Sequence, residues 1–292
     1  MRMSSRTLFV LVEGKNIDPF FYAQLVSPVC KDAGIAYEII RSDFVAGSGG
    51  KQTLLELHKY LASVDSLTYD AENGRKHCIF FLDKDVDDTL CKLVRSKHLV
   101  YTPFYSVENA LFAHGQLVLA SAAAASLDPG DVVARIPDPA AWRRQVAELW
   151  REFLILSLLS VKIGAHCACH YASMTSPLNT PADSPTDMVR AVQVRSALRT
   201  ASGLGQQKFD LKLQAVRRYV QRVYGKGWHD VLFNGKWYFE PLRREMSLIP
   251  GAGAHNKPSN GALISALSSS LDFSAGWADH FKQPLRDLLG HA

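Results

Sequence analysis

The sequence predicts an α/β protein with a mainly parallel sheet flanked by helices over residues 1 to 112. A mostly α-helical carboxyl-terminal domain follows from 113 to 292. Three observations predict this. Short apolar runs alternate with helix-like segments through the first third of the chain, the pattern of βαβ units. The run Ile79-Phe-Phe-Leu82 places four large apolar residues in succession, as in a strand buried on both faces. Beyond about residue 112 the strand-like runs give way to alanine-rich and charged helical patterns.

Taken in order, Thr7 to Val12 is a short apolar strand, and Glu13-Gly14-Lys15-Asn16 is a polar loop. Asp18-Pro19 suits a helix start, with aspartate capping and proline at the first helical position. That helix is expected to bury Phe20, Phe21, Leu25 and Val26 and to end near Gly34. Ile35 to Ile40 reads as a second strand, and a glycine-rich loop from Val45 leads into a helix over Lys51 to Ser63. Ile79 to Leu82 then supplies the third strand and His98 to Tyr101 the fourth. In the second half, Asp138-Pro139 opens a long helix toward Val161, and residues 171 to 187 are a Ser/Thr/Pro/Asp-rich loop. Helical patterns return at 187 to 200, at 208 to 224 and near the carboxyl end. Asn234-Gly235 between apolar arms has the local signature of a hairpin.

Composition narrows the class. With 47% apolar and 21% charged residues, the chain matches ordinary globular proteins. A net charge of +5 permits a polyanionic partner. Five cysteines without repeating spacing point to a reduced, cytoplasmic protein. Leu8 to Val12 and Phe153 to Val161 both fall short of the roughly 20 apolar residues that cross a bilayer, so no membrane role is expected.

The chemistry concentrates after the third strand, where Asp83, Asp85, Asp87 and Asp88 stand against Lys84 alone. Side chains alternate along an extended backbone, so Asp83 and Asp85 are expected on one side. Two carboxylates held together repel unless protonated or bound to a cation, and Mg²⁺ suits oxygen ligands. Parallel strands entering from the same side bring Glu13 to that edge too, where open α/β sheets bind ligands.

A lone Glu after the first strand and Asp-x-Asp after a later one resembles the Toprim fold of topoisomerases, bacterial primases and OLD-family nucleases. Val12-Glu13-Gly14-Lys15, Asp83-Lys84-Asp85, Tyr105-Ser106-Val107-Glu108-Asn109 and Asn234-Gly235-Lys236 more narrowly resemble the Toprim effector nucleases of anti-phage defence, typified by AriB of PARIS systems. The resemblance covers the first 112 residues and one later point. It implies Mg²⁺ or Mn²⁺ on Asp83 and Asp85, with Glu13 as ligand or general acid/base. Glu108 would complete a second metal position, and Lys15 and Lys84 would contact phosphate; Asp87 would assist where the strand's alternation extends to it. It further implies a loop between helical segments, instead of a hairpin, at Asn234-Gly235-Lys236, a toxic effector acting on DNA or RNA, an ATPase sensor as partner, and a homo-oligomer.

Other readings compete. Phe80 to Val86 fits the Asp-x-Asp-x-Val motif of haloacid-dehalogenase-type phosphatases, with Asp83 as nucleophile; that motif normally sits on the first strand. A receiver domain would want an acidic pair, not Glu13 alone, after the first strand. A non-catalytic Toprim-like binding or assembly module is the third alternative. Gly47-Ser-Gly-Gly-Lys51-Gln-Thr53 departs from a Walker phosphate loop, with Val45 at the first glycine position and Gln52 where Ser or Thr should stand. His166-Cys167-Ala168-Cys169-His170 offers four zinc-ligand types in five residues, too close together to surround one ion comfortably. Asp87 and Asp88 can also be read as caps of a helix beginning at Thr89-Leu90. Finally, residues 189 to 228 are strongly basic and carry Arg217, Arg218 and Arg222 among aromatics. With Lys236 they are candidates for holding a nucleic-acid backbone.

Overall fold

The computed structural model describes residues 7–47, 49–71, 74–250 and 257–290. Ser48, in the glycine-rich loop, lies outside the described residues. The chain divides into two compact units. One comprises residues up to Lys84, Cys91–Pro103 and the segment from Asp272 onward; the other comprises Asp85–Leu90 and Phe104–Leu271. Where the sequence suggests a boundary at residue 112, the units divide between Pro103 and Phe104, and the carboxyl-terminal helix belongs with the first.

The first unit is α/β. Its order is β1 (Leu8–Val12), α1 (Asp18–Asp32), β2 (Tyr37–Arg41), α2 (Ser42–Ala46), α3 (Lys51–Ser63), β3 (Thr68–Ala71), β4 (Gly74–Leu82) and β5 (Leu99–Tyr101). The sheet runs β2-β1-β4-β3, with β5 also paired to β4. Strands β1, β2, β4 and β5 are parallel, whereas β3 pairs antiparallel to β4. The sheet is therefore mixed, and the aspartate-bearing strand is fourth in the chain. Thr68-Tyr-Asp-Ala has too little apolar content to announce β3 in the sequence. Strand β4 also starts well before Ile79, because Lys76, His77 and Cys78 are buried with it.

Apolar runs become central strands for a simple reason: every residue of β1 is buried, and a strand covered on both faces tolerates no polar alternation. Helix α1 contradicts two expectations. Asp18 does not cap it; Ile17 is the N-cap without a side-chain bond. The Asp18 carboxylate instead accepts the Gly14 N–H at 2.6 Å. Phe20 faces outward, 44% exposed, because the buried stripe of α1 runs through Phe21, Tyr22, Leu25 and Val26.

The last helix of the chain, α13 (Asp279–Leu289), completes the core of this unit. Tyr22 stacks on Phe81 with ring centroids 4.4 Å apart, and Phe281 meets Phe21 edge-on at 5.8 Å.

The second unit is helical. Its helices are α4 (Val107–His114), α5 (Leu117–Ala125), α6 (Pro129–Arg135), α7 (Pro139–Leu149), α8 (Arg151–Ile163), α9 (Met188–Ser202), α10 (Gln206–Gly225), α11 (Phe239–Ser247) and α12 (Asn260–Ser269). Asp138 caps α7 as expected, accepting from the Ala140 and Ala141 N–H groups. The long helix expected to Val161 is broken at Trp150. The Leu149 carbonyl there accepts from Asn179 Nδ2 and Thr186 Oγ1, each at 3.1 Å. These loop side chains take up an acceptor that an unbroken helix would use itself. The local hairpin signature at Asn234-Gly235 is not realised; the segment is a loop between helical segments, the alternative that the motif resemblance gave. Asn234 has φ −65° and ψ 121°, and Gly235–Tyr238 is a 3-10 turn. Phe233, Trp237 and Tyr238 are each fully buried, and the alternation of a two-stranded ribbon would expose some of them. Among the described residues no helix is long and apolar enough to cross a membrane.

Two expectations follow for stability. Truncating a fully buried aromatic costs about 3–5 kcal/mol, so Phe281→Ala should lower the free energy of unfolding by that amount, read as a lower urea midpoint at unchanged slope. A loss below about 1 kcal/mol would remove α13 from this core. Burial also holds His58, His77 and His98 below the ordinary histidine pKa, with His98 Nδ1 donating to the Cys78 carbonyl at 2.7 Å. The unfolded chain takes up these protons near pH 6.5 while the folded chain resists them. Stability should therefore fall as pH drops below about 6.5, and His98→Gln should flatten that fall in a urea series across pH.

Candidate functional site

The order β2-β1-β4-β5 creates a switch point in the first unit. From β1 the chain leaves toward β2, whereas from β4 it proceeds to β5 on the other side. Crevices at the carboxyl ends of such diverging parallel strands are the usual ligand sites of open α/β sheets. Val12 pairs with Phe81 across β1 and β4, so Glu13 emerges level with Leu82, one residue before Asp83. The Asp83 N–H points at Glu13 Oε2, 3.4 Å away, which fixes the Glu13 carboxylate against the start of the acidic run.

Neighbouring loops are tied to this pair. Ser42, fully buried, donates its hydroxyl to the Glu13 carbonyl at 2.8 Å and accepts the Gly50 N–H at 2.7 Å. Lys51 at the start of α3 donates to the Lys84 carbonyl at 3.2 Å. The backbone N–H of Lys84 is held by Thr102 Oγ1 at 2.9 Å, and its ammonium donates to the Pro103 carbonyl at 2.8 Å. Lys15 is more than half exposed and lies 3.7 Å from Asp43, whose carboxylate also grips Arg41. That Arg41 hydrogen bond holds the Asp43 carboxyl below the usual range. A Cβ at Gly14 would lie 2.6 Å from Asp18 Oδ1 and would have to displace that carboxylate. Ser42 is not singled out by the sequence, and Lys51 enters there only as part of a Walker-like loop; both tie these loops together.

The expected alternation of Asp83 and Asp85 is not observed. Strand β4 ends at Leu82, and Asp85 has a left-handed backbone with φ 51°. Residues 85–91 are turn, so no helix starts at Thr89-Leu90 for Asp87 or Asp88 to cap. Asp85 belongs to the second unit, where its N–H donates to the Tyr105 carbonyl at 2.8 Å.

The second unit brings together two motifs that lie about 125 residues apart. Asn109, fully buried on α4, accepts from the Ser106 N–H and from the Gly235 N–H at 3.0–3.1 Å. Its amide donates to the Phe233 carbonyl and to Asp230 Oδ1. A Cβ on Gly235 would fall 2.4 Å from the Asn109 nitrogen and 2.7 Å from the Glu108 carbonyl carbon, so only glycine fits. Lys236 Nζ lies 3.7 Å from Glu108 Oε1. Asp230, which the sequence did not flag, joins Asn109 to Tyr238 OH at 2.7 Å and to Arg143 at 2.7 Å.

The remaining candidates are placed as follows. Arg217 is committed to Glu152 at 2.9 Å, as is Arg195. Arg218 and Arg222 are exposed on α10, with Arg222 over the Tyr219 ring at 5.4 Å. Among the described residues no group of three or more His, Cys, Asp or Glu side chains could by itself hold a metal ion, which includes His166 to His170. Mg²⁺ is usually held by one or two carboxylates plus water and substrate phosphate, and Glu13 and Asp83 are the acids that follow the neighbouring strands β1 and β4. Comparisons with protein-family models, curated proteins and solved structures return no match.

The buried Arg143–Asp230 pair supplies a test. Asp230→Ala leaves a buried guanidinium unpaired and strips partners from Asn109 and Tyr238. We expect a loss of about 3–5 kcal/mol by urea unfolding; a loss under about 1 kcal/mol would show that this network does not hold the Glu108 and Gly235 segments.

Proposed function

We propose that the protein is a metal-dependent nuclease that hydrolyses phosphodiester bonds of DNA or RNA, with Glu13, Asp83 and Asp85 as its catalytic acids. The observation that carries this reading is the placement of Glu13 against Asp83 at the carboxyl-edge switch point. Mg²⁺ or Mn²⁺ bound there would lower the pKa of a water and offset charge on the phosphodiester. The chain's own residues do the rest. The Asp83 N–H orients Glu13, which can then hold or move a proton at Oε1 or Oε2. Asp85 follows two residues after Asp83, and Asp87 and Glu108 are the further acids of the reading. Lys15, Lys84 and Lys236 supply positive charge for phosphate, and Arg218 and Arg222 for the nucleic-acid backbone, with Arg217 joining them only on leaving Glu152.

The finer reading is that of a toxic effector in anti-phage defence, acting as a homo-oligomer and restrained by an ATPase partner. It is supported by the Toprim-effector motifs and by the way two of them, Glu108-Asn109 and Asn234-Gly235-Lys236, dock on one another.

Labelled RNA and DNA incubated with Mn²⁺ should be cut by the protein. Glu13→Ala and Asp83→Asn should each slow cutting by ~100-fold or more, and chelator should abolish it. Cutting indifferent to both substitutions and to chelator would defeat the proposal. Phosphate release from small phosphomonoesters, lost in Asp83→Asn but kept in Glu13→Ala, would establish the phosphatase alternative instead.

A further inference from the structure

The loop after α8 holds chemistry that phosphodiester hydrolysis does not use. Cys167 is half-buried and Cys169 fully buried, while His166, Ala168 and His170 between and around them are exposed. The Cys167 sulfur is folded onto the backbone of Cys169: it accepts the Cys169 N–H at 3.2 Å, and its thiol faces the Cys169 carbonyl at 3.1 Å. The Cys167 sulfur thus rests on the main chain of the residue that carries the second thiol. The loop is pinned on both sides of the pair. Ser160 Oγ donates to the Ala165 carbonyl at 2.6 Å, and Asn234 Nδ2 donates to the Tyr171 carbonyl at 3.0 Å.

The two thiols differ sharply. The Cys169 thiol beside Cys167 brings the Cys167 pKa down to about 7, whereas the neighbouring Cys167 and burial push Cys169 well up. Thiolate is the reactive form of cysteine, so one member of the pair is ready to attack and the other stays a thiol. Elsewhere in the chain, burial pushes Cys30 and Cys78 up to about 11 and about 12, which leaves them inert.

We propose that Cys167 and Cys169 are a redox modification site, converted to an intrachain disulfide by low-molecular-weight disulfides such as glutathione disulfide. The Cys167 thiolate attacks one sulfur of the small disulfide, forming a mixed disulfide and expelling one small thiolate. Cys169 then gives its proton to that thiolate and attacks the Cys167 sulfur, expelling the second. Two protein thiols are oxidised by two electrons and one small disulfide is reduced to two thiols. A bridge across a single intervening residue closes a small ring, and strained disulfides are the readily reduced, regulatory kind.

The test uses the full chain carrying Cys91→Ser, which removes the one fully exposed thiol. Incubation with glutathione disulfide near pH ~7 should lower the intact mass by two hydrogens, with peptide mapping placing the bond between Cys167 and Cys169. Adding Cys169→Ser should leave a persistent glutathione adduct on Cys167, and adding Cys167→Ser should leave none on Cys169. Alkylation of Cys167 by iodoacetamide should titrate with a midpoint of about 7. An unchanged mass, or a stable adduct on Cys167 while Cys169 is present, would overturn the proposal. Neither readout depends on nuclease activity.

Discussion

The parallel pairing of β1 with β4 is the constraint on which the first unit depends. Both strands are sealed, with Leu8 to Val12 and Ile79 to Leu82 at 0–1% exposure. Neither can slip by one residue without turning its side chains onto the opposite faces, because side chains alternate with a period of two. That fixed register, Leu8 to His77 through Val12 to Phe81, delivers Glu13 and Asp83 to the same edge. The contact of the Glu13 carboxylate with the Asp83 main chain is thus a consequence of how the apolar runs pack. Residues that never touch a substrate, such as Phe9 and Phe80, decide where the carboxylates go.

In the second unit, polar groups set the geometry. Asn109 uses both ends of its amide, and Asp230 uses both carboxylate oxygens. Buried pairs of this kind contribute little net stability compared with apolar packing, yet removing one partner is costly. Their effect is to specify one arrangement, with the first turn of α4 seated on Gly235. The close contact at Gly235 has the same effect, since any larger residue would collide with the α4 backbone. Glu108 and Lys236 owe their proximity to this docking.

How far the sequence revealed all this depended on which force dominates locally. Strands β1 and β4 and helix α3 were legible because long apolar or well-patterned runs leave one option, and α3 spans Lys51–Ser63 as read. Strand β3 was not, since Thr68-Tyr-Asp-Ala becomes a strand only by pairing with β4. The Trp150 break follows from loop side chains some 30 residues away, and no local propensity encodes it. At Asn234-Gly235 the turn signal was real but lost to aromatic burial. The candidate acids were legible by type and position, whereas the left-handed turn at Asp85 was not: a carboxylate two residues after a strand predicts alternation only while the backbone stays extended. Asp230 carried no motif at all, and its role lies wholly in tertiary contacts.

The choice between a nuclease and a phosphatase reading turns on Glu13. In the phosphatase reading Asp83 attacks phosphorus and its neighbours must leave that carboxylate open to an anionic substrate. Glu13 is instead held on the Asp83 backbone, where a second negative charge opposes the approach of a phosphate. A cation reverses that effect: the charge that repels a bare phosphate attracts the metal that accompanies it. A glutamate placed at this edge by main-chain register has no assigned role in the nucleophilic scheme, whereas the nuclease scheme uses it as ligand or general acid/base.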